Sequence, residues 1–168
     1  MERKGFKGFN EDMTNRYGEH FEEGKTYHVE EQIGFGNDQY GYHFCENIED
    51  VFRFFDCSKG IKVARVTASG NMVEGRDDFY EYFDMYSAET IHIDHIMTRE
   101  EIILEILNRT PDQACRFIRT GFKLTDEEDA LLRSRFHNQE GNVVDDYLDY
   151  YSRGDKEAFS RKMCKVYE

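Results

Sequence analysis

The chain has 168 residues, 35 of them acidic and 22 basic, for a formal net charge of −13. That length suits one domain, or one domain with a helical appendage. The acid excess argues against direct nucleic-acid binding and favours basic protein surfaces as partners. Residues 1–97 hold 20 acids and 10 bases (net −10), and residues 98–168 hold 15 and 12 (net −3). Hydrophobic residues make up only 39 %, but 14 Phe and 11 Tyr can build a core, because each ring buries ~150–250 Å². A single Pro argues against a long flexible linker. The opening Met1-Glu-Arg-Lys4 leads into no apolar segment, and no run approaches the ~18 residues of a membrane span. The expected location is the cytoplasm. There the four cysteines (45, 57, 115 and 164), which lack C-x-x-C spacing, are expected to be small buried hydrophobes.

Phe6-Lys-Gly-Phe9 alternates as a strand with one buried face. Gly24-Lys25 reads as a turn into a strand at Thr26–Val29, and residues 34–39 as a loop. Tyr40 to Cys45 follows as a strand with Tyr40, Tyr42 and Phe44 on one face. Asn47 is placed to cap a helix, with Glu49 and Asp50 in its first turn. Ile48, Val51, Phe52 and Phe55 form that helix's apolar face. Ile61–Val66 is a strand, Ser69-Gly-Asn71 a turn, Met72–Glu74 a short strand and Thr90–Asp94 another strand.

From Thr98 the period becomes helical. Thr98-Arg-Glu-Glu101 is a capping box, followed by the stripe Ile102, Ile103, Ile106 and Leu107. Pro111 opens a second helix with Ala114, Cys115 and Ile118 inward, and Gly121 ends it. Thr125-Asp-Glu-Glu128 opens a third, with Leu131, Leu132 and Phe136 inward. Residues 143–151 and 155–166 read as two more helices. The fold class is α+β: an acidic β-rich part with one packed helix (1–97), then a helical part (98–168) expected to share its core.

Three groups are candidates for function. His92 and Asp94 share a strand face, which His95 joins if the strand ends there; such a set could bind Zn²⁺, although a solvated strand face before a helix is the simpler reading. His43 and Cys45 also share a face, as a strained dyad or as a structural pair. The run from Asp77 to Tyr86 mixes acids with rings. If it is helical, Asp77, Glu81 and Asp84 share one face, with carboxylates ~5–6 Å apart, comparable to phosphates along a nucleic-acid strand. If it is extended, acids and rings do not separate. Asp77, Asp78, Glu81 and Asp84, with Tyr80 and Tyr82 as anchors, are the expected partner-binding residues. No phosphate-loop or nucleophile-elbow motif is present, and no cofactor or metal is expected.

Lys7-Gly-Phe-Asn10, Asp12-Met-Thr14, Arg16, Gly24-Lys-Thr-Tyr27, Gly41-Tyr-His-Phe-Cys-Glu46 and Asp50-Val-Phe52 together resemble an uncharacterised family of bacterial and phage genomes with no assigned activity. The resemblance implies a mobile-element setting. Lys7-Gly-Phe9 and Tyr42-His-Phe44 are also similar to ADP-ribosyltransferase strands, with Lys where that family uses Arg or His and with no late Glu-x-Glu. The expectation is a non-enzymatic protein that inhibits a basic nucleic-acid-binding host protein, of which an anti-CRISPR acting on a Cas nuclease is an example. The alternatives are an ADP-ribosyltransferase-like or other nucleotide-dependent enzyme using His43 and His92, and an oligomerising accessory domain.

Overall fold

The computed structural model describes residues 1–35, 39–54, 60–76 and 82–152. The chain divides into two units, Met1–Ile102 and Ile103–Glu168. The first contains β1 (Glu2–Phe9), β2 (Thr26–His28), β3 (Tyr42–Phe44), α1 (Ile48–Phe54), β4 (Lys62–Arg76) and β5 (Tyr82–Ile96). All pairings between these strands are antiparallel, and the order is β1-β4-β5-β2, with β3 also on β5. The two short strands therefore share one edge of β5: β2 pairs at Thr90–His92 and β3 at Tyr86–Ala88.

The sheet curls until its ends meet. Just beyond β3, Cys45 exchanges two backbone hydrogen bonds with Phe6 of β1, at 2.7 and 2.8 Å. Two features permit this approach. One is Gly5, where a Cβ would lie 2.4 Å from the Cys45 carbonyl oxygen and 2.7 Å from the Phe44 ring. The other is a set of β-bulges, which bend a strand and add twist. Ser69 pairs with Thr90 and Met72 with Ala88, so Gly70 and Asn71 together oppose Glu89. Gly70 takes φ 76° there. The expected turn at Ser69–Asn71 is thus a bulge within one long strand, and Met72–Glu74 continues β4. A second bulge lies in β5, where Arg65 pairs with His95 and Val66 with Ile93, leaving Asp94 extra.

The concave side holds the core: Phe9, Phe21, Tyr42, Phe44, Ala64, Val66, Ala68, Ala88, Ile91 and Ile93. Phe21 comes from the loop before β2 and packs on Phe9, Tyr27 and Tyr42, with ring centroids 5.1, 4.7 and 5.9 Å away. Such pairs add ~0.5–1.5 kcal/mol each beyond area burial. Tyr40, expected beside Tyr42 and Phe44, is 52 % exposed. It bridges to Ile33 in parallel instead. In α1, Ile48, Val51 and Phe52 are buried as expected, and so are Glu49 and Asp50. Phe55 lies outside the described residues.

The helix α2 (Arg99–Leu107) carries the unit boundary. Its Thr98 box is formed in both directions at 3.2 Å. The second unit then holds α3 (Pro111–Arg119), α4 (Asp126–Arg135), α5 (Val143–Tyr147) and a π-helical turn at Leu148–Ser152. Both α3 and α4 begin with complete capping boxes, Thr110 with Gln113 and Thr125 with Glu128. Leu131, expected inward, is 50 % exposed. Arg133 of α4 reaches Asp129, Asp149 and Asp145 at 2.6, 2.8 and 3.7 Å, tying α4 to the turns that follow. The expected helix 155–166 lies outside the described residues. Cys45 and Cys115 are free and buried. Among the described residues no helix is long and apolar enough to cross a membrane.

A Gly5→Ala substitution puts a methyl group against the Cys45 carbonyl and the buried Phe44 ring, on the segment that is hydrogen-bonded to β1 at Phe6. It is expected to lower unfolding free energy by about 1–3 kcal/mol, as overpacking does. The urea midpoint measures this; an unchanged midpoint would show that the β1–Cys45 seam is loosely closed.

Candidate partner-binding surface

The strand β2 lies on the edge of β5 with its side chains sorted by alternation. Tyr27 faces the core, and its hydroxyl oxygen accepts from the Glu22 N–H at 2.8 Å. Thr26 and His28 face the convex side. Thr26 Oγ1 lies 2.8 Å from His92 Nδ1, and His28 Nδ1 lies 2.7 Å from Thr90 Oγ1. The pattern follows from register, since Thr26 pairs with His92 and His28 with Thr90. Thr67 of β4 donates to Asp94 at 2.6 Å.

Carboxylates stand at both ends of β2. Glu19, Glu22, Glu23, Glu30 and Glu31 are all exposed. Lys25, the sole Lys or Arg from 19 to 31, is ion-paired with Glu22. Glu30 lies 3.1 Å from His28 Nε2. The side chain of Glu23 turns back to the sheet, accepting from the Ile96 N–H at 2.7 Å and from His95 Nδ1 at 3.0 Å.

His95 occupies a position that its sequence spacing does not forecast. The strand β5 does not end at residue 94; it runs to Ile96, and the Asp94 bulge turns His95 to the convex side with Arg65. Both ring nitrogens meet carboxylates, Nδ1 at Glu23 and Nε2 at Glu101, 2.8 and 2.9 Å from the latter's two oxygens. An imidazole with acceptors at both nitrogens is held best as imidazolium. The hydrogen bond to Glu101 therefore raises the His95 pKa, and the same bond lowers that of Glu101. His92 Nε2 is 3.8 Å from Asp94. Among the described residues no group of three His, Cys, Asp or Glu side chains is disposed to hold a metal ion, so His92, Asp94 and His95 do not converge as ligands.

His43 and Cys45 do not form a dyad. His43 Nε2 lies 3.0 Å from the Gly34 carbonyl, which accepts from it, and the ring packs on Phe35 at 4.5 Å. Burial lowers the His43 pKa to about 4 and pushes the Cys45 thiol up, away from a reactive thiolate. His43 pairs with Ser87, five residues from His92 along β5, or about 17 Å at strand rise. The two histidines do not share a cleft. Lys7, basic like the Arg or His of the ADP-ribosyltransferase-like motif, is 9 % exposed. Its ammonium donates to the His43 carbonyl at 2.7 Å, across the seam beside the Phe6–Cys45 bridge. Burial lowers its pKa to about 8.

Of the residues expected to bind a partner, Asp77, Asp78, Tyr80 and Glu81 lie outside the described residues. Tyr82 opens β5, so the described end of the run, from Tyr82, is extended and not helical. Asp84 is exposed, 3.6 Å from Arg53. Both side chains are more than half exposed, so the pair contributes little. The surface acids of the β2 region were legible as composition, but only the pairing of β2 with β5 locates them.

The fold and this surface together define an α+β protein whose curled antiparallel sheet carries an acidic edge. The chain belongs to the family described as domain of unknown function DUF7666, which matches residues 3–102. That span coincides with the first unit, Met1–Ile102. No curated protein and no solved structure matches the chain.

Two titrations follow. The His95 ring is expected to titrate above the ~6.5 of a free imidazole. Stability from its ion pairs is present below that value and is lost as pH rises through the raised pKa. Proton NMR reads the midpoint, and Glu101→Gln should move it back toward 6.5; an unshifted wild-type midpoint would mean the clasp is open in solution. Lys7 runs the other way. Its folded pKa of about 8 lies below the unfolded value of 10.5, so the folded state gains stability as pH rises between them. Compared with Lys7→Met, the wild type should gain urea resistance from about pH 8 to pH 10. The comparison cancels Cys115, whose raised pKa acts oppositely; making it in a Cys45→Ala background removes the Cys45 thiol, which interacts with Lys7.

Proposed function

We propose that this chain is a protein-binding inhibitor whose first unit presents carboxylates to the basic nucleic-acid-binding groove of another protein. A host Cas nuclease is the most concrete partner of this kind, and the chain would then be a phage or mobile-element anti-CRISPR. The observation that carries the reading is the placement of acid. Residues 1–97 hold a net charge of −10, and exposed glutamates bracket the edge strand β2 with one basic side chain among them, already paired. Such a field speeds encounter with a basic surface and repels nucleic acid, and salt screens it. The acid and aromatic run at Asp77, Asp78, Tyr80, Glu81, Tyr82 and Asp84 extends the reading to a second stretch of the same unit.

The test is recovery of partners from host-cell lysate on the tagged chain at about 0.1 M and about 0.5 M salt, a range that screens exposed charge pairs. A nucleic-acid-binding protein recovered at low salt and displaced by added nucleic acid is the expected result. Two charge reversals then locate the contact: Glu30→Lys with Glu31→Lys, and Asp77→Lys, Asp78→Lys with Glu81→Lys. At least one set should cut recovery tenfold or more with the far-ultraviolet circular dichroism unchanged. Recovery unaffected by either set would remove the acidic surface from the account.

A further inference from the structure

The edge of β2 has a chemistry beyond its charge. In antiparallel pairing, alternate residues bond to the neighbouring strand and the others direct their N–H and C=O outward. Lys25 accepts from Ile93 at 3.0 Å and Val29 donates to Glu89 at 2.9 Å. Odd-numbered residues therefore face β5, and Thr26 and His28 turn their backbone groups away from it. Both residues are exposed, and among the described residues no backbone group bonds to those of Thr26 or His28 along the outer edge. The seam at β1 differs, since Cys45 covers the Phe6 edge.

Open edges pair with other strands unless they are protected. This one has no proline, and its bulged neighbour does not cover it. Its protection is electrostatic and acidic on balance: Glu22, paired with Lys25, and Glu23, held by His95, precede it, and Glu30 and Glu31 follow it. A second copy of the chain pairing antiparallel would set Glu30 and Glu31 against Glu22 and Glu23, and like charges across a strand pair repel. The same carboxylates attract a basic strand.

We infer that the β2 edge is a docking site for an extended basic segment of a partner protein, which adds a strand to the sheet through the backbone groups of Thr26 and His28. Backbone pairing supplies register, and lysine or arginine side chains flanking the paired residues meet the glutamates. The inference rests on the inhibitor reading above and specifies how such a partner is held.

The probe is a synthetic octapeptide of alternating Lys and Val, added to the full chain at about 0.1 M salt. Its binding should slow hydrogen exchange at the Thr26 and His28 amides. Two controls should bind at least tenfold more weakly: the peptide with Glu in place of Lys, and a fully N-methylated version that keeps the charge and loses every backbone donor. Thr26→Pro removes an outward N–H without touching the ladder to β5, and should weaken binding as much; the exchange measurement on the wild type stands if that variant misfolds. Equal binding of the N-methylated peptide, with both amides unprotected, would overturn strand addition and leave the acidic-surface reading intact. No binding of the basic peptide would also overturn strand addition, and partner recovery with the Glu30 and Glu31 reversal judges the acidic surface separately.

Discussion

Two backbone hydrogen bonds between Phe6 and Cys45 turn an open antiparallel sheet into a curled one. Without them β1 and the end of β3 would be loose edges on a five-stranded sheet, and the concave side would be open along that seam. With them, a core rich in rings is enclosed by a sheet that could not enclose it flat. The bond pair depends in turn on the missing side chain at Gly5 and on bulges that bend β4 and β5. A curled sheet needs bends at defined places, and two of the three register shifts between β4 and β5 fall at Gly70–Asn71 and at Asp94.

The same bends decide what the sheet displays. The Asp94 bulge rotates His95 to the convex side, where Glu23 from the loop before β2 and Glu101 from the first turn of α2 grip it. One extra residue in β5 thereby links the start of α2 to the distant loop before β2. The capping box at Thr98 places Glu101 for this, since its carboxylate serves both the Thr98 N–H and the His95 ring. Helix initiation and sheet decoration draw on one side chain.

Where the chain follows a single local rule, the sequence forecasts the structure. The strands at 26–28 and 42–44, the start of α1 after Asn47 and the boxes at Thr98 and Thr125 obey period two or cap chemistry; residues 6–9 form the expected strand, but not with one buried face, since Phe6, Lys7 and Phe9 are all buried. Where two structures share one signal, it does not decide. Ser69-Gly-Asn71 carries the residues of a turn and of a bulge alike, and only cross-strand register separates them. Burial of Lys7, Glu49 and Asp50 was illegible because charged residues on amphipathic elements read as solvent-facing. Phe21 was missed because it belongs to no periodic segment. The acidic character of the candidate surface was visible as an excess of Asp and Glu; its address was not, because β2 meets β5 across more than sixty residues of chain.

Lys7 gives the seam its own reporter. While the seam is closed its amine is buried, with a pKa of about 8, and opening returns it toward the 10.5 of a solvated lysine. Burial keeps reagents away until β1 and β3 part. Covalent labelling at this position consequently measures how often the sheet unlatches, and a bound strand or a substitution elsewhere in the first unit would register there as a change in rate. The residue that plugs the closure is also a clock for its breathing.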